Sequence, residues 1–185
     1  MFHANTQKLI DYWRDRAGDA ALPTRMAVDP THFRELMSQV FIIGRVATGI
    51  YPIRLAGGLI ADLHQKDLRQ QNLITLFRDQ DRQLLKAALE SARRRPEPLV
   101  VTTFALTDGP HGGPGPHLPL EILFAPLAAA PGSPERFLGL YQPLALATRL
   151  QARPITTLAA QSYAGPSALA PPRLRLAAVD GRRIA

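Results

Sequence analysis

The 185-residue sequence contains no cysteine. That absence removes disulfides, thiolate metal sites, a cysteine nucleophile and a flavin–cysteine adduct from the chemistry open to the chain. Long apolar runs are missing as well: no stretch reaches the roughly 18 consecutive apolar residues of a membrane span. The opening MFHANTQKLI lacks the basic and then apolar layout of an export signal. The expectation is a soluble, cytoplasmic protein. Catalytic signatures are equally scarce. No glycine-rich loop ends in the lysine and hydroxyl residue that a phosphate-binding loop requires, and Gly112-Gly113-Pro114-Gly115 leads into no helix, so it reads as a turn. The five serines sit in no nucleophile elbow. His3, His32, His64, His111 and His117 show no metal-ligand spacing; His111 and His117 would share an ion only if their loop folded back, and surface histidines are the plainer reading. Glu121 has no carboxylate neighbour at a readable spacing and reads as a solvated strand position. The chain is not expected to be an enzyme.

What is present suits one globular core. The hydrophobic fraction is 46% and the charged fraction 20%, ordinary for a folded protein, and a chain of this length supports one core better than two. The net charge of +7 is unevenly spread: residues 36–98 and 151–185 each carry +4, and residues 99–150 carry −1. Arg93, Arg94 and Arg95 fall where the negative end of a helix would use them. No helix-turn-helix or stacking-aromatic motif accompanies the charge, so a basic nucleic-acid-binding regulator is the alternative reading and not the leading one.

Residues 4 to 17 place Leu9, Ile10 and Trp13 on one helical stripe, with Gly18 as the stop. That stripe has two uses: to cover its own domain, or to form an interface with the same helix of a second subunit. Asp29-Pro30 caps and begins a short helix to about Met37. Strand patterns at 39–46 and 51–56 flank a Thr48-Gly49 turn. A helical turn or two follows Gly57-Gly58 through His64, and an apolar cluster follows Asn72. Asp79 to Arg95 is a strong amphipathic helix with Leu84, Leu85, Ala88, Leu89 and Ala92 on its stripe. Strands at 99–106, 118–125 and 137–144 should form an antiparallel meander, with a long loop from Thr107 to His117. The expected division is a helical extension over 1–35, a domain over 36–150, and a partly ordered Pro/Ala/Arg-rich tail over 151–185 with a short strand at 174–179.

That order of elements resembles a PAS domain. The resemblance is closer still to short bacterial PAS proteins typical of alphaproteobacteria. It lies in NTQKLIDYWRDRAGDAALPTRMAVDP, FIIGRV, YPIRLAGGLIADLHQKDLRQQNLITLF, RDQDRQLL and LPLEILFAPL, and covers about residues 4 to 145. The resemblance implies an α+β fold: a five-stranded antiparallel sheet with helices packed on one face, plus the N-terminal amphipathic helix. It also implies a sensory or regulatory protein that acts on a protein partner, such as a signalling enzyme or a second copy of itself, with room for control by a small-molecule ligand. Arg54, His64, Asn72 and Tyr141 would then line or flank the ligand cavity. Leu55, Leu73, Phe77, Leu85, Leu89, Phe104 and Ile122 would line that cavity or simply fill the core. The cofactor stays unknown, but two are disfavoured: the long helix lacks the histidine that haem-binding relatives use there, and a cysteine-linked flavin lacks its thiol.

Overall fold

The computed structural model describes residues 2–20, 22–129 and 135–165. The strand expected at 174–179 lies outside them. Helix α1 runs Ala4–Ala17; the His3 Nδ1 accepts the Asn5 amide at its start, and Gly18 ends it at φ 53. Asp29 caps the following segment by accepting the Thr31 amide. Pro30–Gln39 then winds as tight 3-10 turns interrupted at the buried Phe33, rather than as an α-helix.

Strands β1 (Val40–Gly44) and β2 (Ile53–Ala56) pair around a reversal in which Gly49 takes φ 81. Helix α2 (Gly58–His64) leaves β2 at once. Its entry is pinned by the Gly57 amide donating to the Val40 carbonyl at 2.8 Å, and a Cβ at Gly57 would collide with the backbone of Met37 and Ser38. Helix α3 (Asp79–Arg94) carries Asp79 and Asp81 in its first turn and Arg93 and Arg94 in its last, both favourable to the helix dipole. Leu85, Ala88, Leu89 and Ala92 are buried, whereas Leu84 points outward and is half exposed.

Strands β3 (Leu99–Asp108), β4 (Pro114–Leu127) and β5 (Arg136–Pro143) form the expected meander. The β3–β4 connection is shorter than its sequence suggests. The ladder persists to Asp108 opposite Pro114, and Pro110–Gly112 closes it in one 3-10 turn.

The sheet holds six strands in the order β2-β1-β5-β4-β3-β6, all antiparallel. The sixth, β6 (Thr157–Ala164), falls in the stretch read as tail, so the sheet extends past the boundary expected at 150. Its segment is short and rich in alanine, with a weak alternation of its own; pairing with the open edge of β3 from Leu106 to Val100 makes it a strand. The outer rim of β6 is itself engaged. The Arg78 amide donates to the Leu158 carbonyl, and the Ala160 amide donates to Asp81 Oδ2 at 2.9 Å.

Helices α2 and α3 pack on one face of the sheet, as expected, and the N-terminal helix covers the other. On the inner face Phe41, Ile43, Val101, Ile122, Phe124, Phe137 and Tyr141 pack against α2, the 3-10 turn Leu73–Leu76, and α3. On the outer face Val40, Ile42, Val100, Leu123, Ala125, Leu138 and Leu140 meet Leu9, Ile10 and Trp13 of α1 together with Phe33 and Leu36. Truncating Leu158, which is fully buried, should cost about 2–4 kcal/mol. Urea unfolding of Leu158→Ala checks this: a change within about 0.5 kcal/mol would mean that β6 is no integral part of the sheet.

Candidate functional site

Three polar arrangements are built into this apolar frame. The first lies on the inner face, where α2 ends. Gln65 turns left-handed, φ 50, and leaves His64 as the last helical residue, 3% exposed. Its Nε2 shares a 3.0 Å hydrogen bond with the buried Tyr141 hydroxyl of β5. Burial drives the imidazole down to about 4; the Lys66 charge adds to this, and the Ile155 backbone offsets it only in part. Burial likewise pushes the Tyr141 phenol upward. Both groups are therefore neutral near pH 7. Around them Leu73, Phe77, Leu85, Leu89 and Ile122 are buried together, and the Phe41 ring lies over Gly139 with its edge toward Phe124, 5.6 Å between centroids.

The second arrangement centres on Glu90 of α3. Arg45, just past β1, donates from Nε to Oε1 at 2.7 Å; the Tyr51 hydroxyl donates to the same oxygen; Arg93 donates to Oε2 at 3.2 Å. Arg93 and Arg45 both extend to Glu135, ahead of β5. Burial alone would raise the Glu90 carboxyl, but the Arg45 and Tyr51 hydrogen bonds and the two guanidinium charges hold it at about 2. Tyr51 moves the other way, upward, through burial and then through that same carboxylate.

The third sits on the outer face. Glu121 and Gln142 are register partners on β4 and β5, and both are nearly buried. Both Glu121 oxygens accept the His3 amide, at 3.1 and 3.0 Å, while Gln142 Oε1 accepts from Asn5 Nδ2 at 2.9 Å. A carboxylate at the start of α1 suits the positive end of the helix dipole. At the far end Trp13 Nε1 donates to the Pro126 carbonyl at 2.7 Å. These polar posts fix α1 at both ends on the outer face.

A PAS-domain family model matches residues 1–142. The chain belongs to the PAS family. PAS membership supports a sensory or regulatory role, and β6 lies beyond the matched span. No curated protein matches. Solved structures similar to the chain include the Rhodobacter sphaeroides LOV protein, at 14% identity and a TM-score of 0.41, covering 63% of this chain and 69% of that one. A variant of RsLOV is also 14% identical, with a TM-score of 0.41 and coverage of 79% and 71%. An RNA-binding light-oxygen-voltage receptor is 13% identical, with a TM-score of 0.43 over 70% of this chain and 38% of the receptor. Likenesses this distant carry no ligand or partner across.

Against the PAS frame, the four residues expected at a ligand separate. His64 and Tyr141 meet. Arg54 is exposed on β2, where its Nη1 donates to Gln70 Oε1 at 2.8 Å. Asn72 staples the hairpin: its Oδ1 accepts the Tyr51 amide and its Nδ2 donates to the Gly49 carbonyl, both at 2.9 Å. Two of the expected lining residues face the wrong way. Leu55 is 38% exposed beside Val28, Phe33 and Leu138 of the outer face. Phe104 is half-buried with its ring edge on His117. Both faces of the sheet are apolar, so alternation alone does not say which one a residue joins.

Of the two uses open to Leu9, Ile10 and Trp13, the structure shows the cover of their own domain: they are at most 5% exposed against their own sheet. Glu121 is no solvated position but the anchor of α1. Glu90 with Tyr51, and Glu121 with Gln142, were missed as sites. Their signal was a carboxylate set among apolar neighbours, Leu89-Glu90 and Leu120-Glu121-Ile122.

The Glu90 cluster has a pH signature. A carboxyl held at about 2, against 4.5 in the unfolded chain, contributes stability that is fully present above pH 4.5 and is lost as pH falls through about 2. Glu90→Gln should destabilise the protein at neutral pH by about 1–3 kcal/mol, since it removes the carboxylate that Arg45, Arg93 and Tyr51 share and leaves the two guanidinium groups only Glu135. It should also flatten the acid limb in that window, as followed by urea midpoints at stepped pH.

Proposed function

We propose that the chain is a PAS regulatory protein that works by docking to a protein partner, a signalling enzyme or a second copy of itself, and that it performs no catalysis. The observation that carries this reading is the state of the PAS core. Inside it His64 Nε2 and the Tyr141 hydroxyl bond to one another, and aliphatic and aromatic side chains pack around them. Such a core transmits shape, through α3 and the sheet, to whatever surface is docked. Small-molecule control of the core belongs to the same reading and would act by separating that pair. Haem and a cysteine-linked flavin remain the disfavoured cofactors.

The nucleic-acid alternative draws on the +7 charge. Ion pairs fix several of the basic groups, Arg45 and Arg93 on Glu90 and Glu135, Arg78 on Asp81, Arg82 on Asp79, and Arg69 on Asp67, and leave the net charge unchanged. What is left gives salt-sensitive, unselective attraction.

Native mass spectrometry of the full chain purified from its own host tests the reading. A defined protein complex with no added small-molecule mass, and no retention of DNA or RNA at about 150 mM salt, is the expected result. A stoichiometric small molecule on an otherwise free monomer would replace docking with ligand sensing, and salt-resistant nucleic acid would replace it with the alternative.

A further inference from the structure

Between β5 and β6 the chain crosses α2. Ala147–Leu150 forms a 3-10 turn, and Gln151 and Ala152 follow in left-handed conformations, φ 52 and φ 57. Gln65, facing them from the end of α2, is left-handed as well. Three non-glycine residues in this region at one contact store backbone strain, and strain of that kind concentrates at segments that move. Two hydrogen bonds tie the crossing to α2: the Ile155 amide to the Leu63 carbonyl at 2.9 Å, and Gln65 Nε2 to the Ala152 carbonyl at 2.7 Å. A groove of about 310 Å³ already runs along this contact, lined by Leu59, Leu63, Gln65, Thr148, Leu150 and Arg153. Either side of the crossing the chain is firmly held, by the Leu144 amide on the Pro119 carbonyl and the Thr156 amide on the Leu106 carbonyl, both at 2.9 Å. Movement there would stay local.

His64 lies directly beneath. Its Nδ1 is buried with no hydrogen-bond partner of good geometry among the described residues. The groups that face it are the Tyr141 hydroxyl from β5, the Ile155 backbone from the crossing, and the Lys66 charge from beyond its own helix; Asp62 and Arg153 stand farther out along the groove. None of the near groups is an anion, so while the crossing is closed an imidazolium has only the Ile155 backbone and the Tyr141 hydroxyl to offset its burial.

We propose that Ala147–Ile155 is an acid-loosened flap: protonation of His64 weakens its hold on α2 and widens the groove between them. The flap lies outside the span matched by the PAS family model, and His64 lies within it. It does not depend on which partner the protein docks to.

Amide exchange of the full chain, corrected for the intrinsic pH dependence, tests this at Ile155, whose N–H is one of the two ties. A histidine titrating at 6.5 when open and about 4 when closed favours opening roughly 30-fold more at pH 5 than at pH 7.5. Ile155 exchange should accelerate by that factor, while Leu123 exchange and the emission of Trp13, on the opposite face, stay unchanged. His64→Gln should reduce the response to about twofold or less. Should that variant fail to fold, Lys66→Glu, at an exposed position, supplies the missing anion and should shrink the response several-fold. No acceleration at Ile155, acceleration shared with Leu123 and Trp13, or an unchanged response in the variant would overturn the proposal.

Discussion

The side chains of β1, of β4 from Leu120 to Leu127 and of the middle of β5 are buried whichever way they point, Ile122 and Phe124 toward α3, Leu123 and Ala125 toward α1. A sheet apolar on both faces has to be covered twice, and the placement of the other elements answers to that need. Helices α2 and α3 close the inner face. Helix α1 and the turns around Phe33 close the outer one, which is why the stripe of Leu9, Ile10 and Trp13 is consumed within its own domain. The edges need cover as well. Loop residues Gln70 and Gln71 bond to Ile53 at the β2 end, and the start of α3 bonds to β6 at the other.

Apolar contact fixes that a helix covers a face but tolerates sliding; buried polar groups do not. Glu121 and Gln142 meet the α1 backbone and Asn5 at one register, and Trp13 meets Pro126 at the other end of the same helix. Glu90 does the same for α3, binding it to the β1–β2 hairpin through Arg45 and Tyr51. Each carboxylate would be costly to bury alone. With every near oxygen hydrogen-bonded, the cost is offset and the position specified.

Elements with a strong local period were legible: α1 and α3 begin and end within a residue of where their caps and stripes place them, and the meander follows from three strand-like runs. The sixth strand was not, because Thr157–Ala164 becomes a strand through the edge it meets and not through its own pattern. Of the site, His64 and Tyr141 were legible as inward-facing positions on PAS-like segments. Arg54 and Phe104 misled because a period of two assigns alternate faces without saying which is which. Glu121 misled for a related reason: on a sheet covered twice there is no solvent face for it to occupy.

The extension beyond residue 142 alters what the PAS core can do. It packs on the end of α2 and on the edge of β3. The crossing at Ala147–Ile155 and β6 close over both. His64 is buried among Tyr141 of β5, the apolar core and the Ile155 backbone of the crossing, and that burial holds it neutral. The histidine and its cover are thus thermodynamically linked: whatever favours the charged imidazole disfavours the closed crossing by the same free energy, and whatever docks on the closed crossing must lower the affinity of His64 for a proton. A partner that reads this surface would read the protonation state of the core through it.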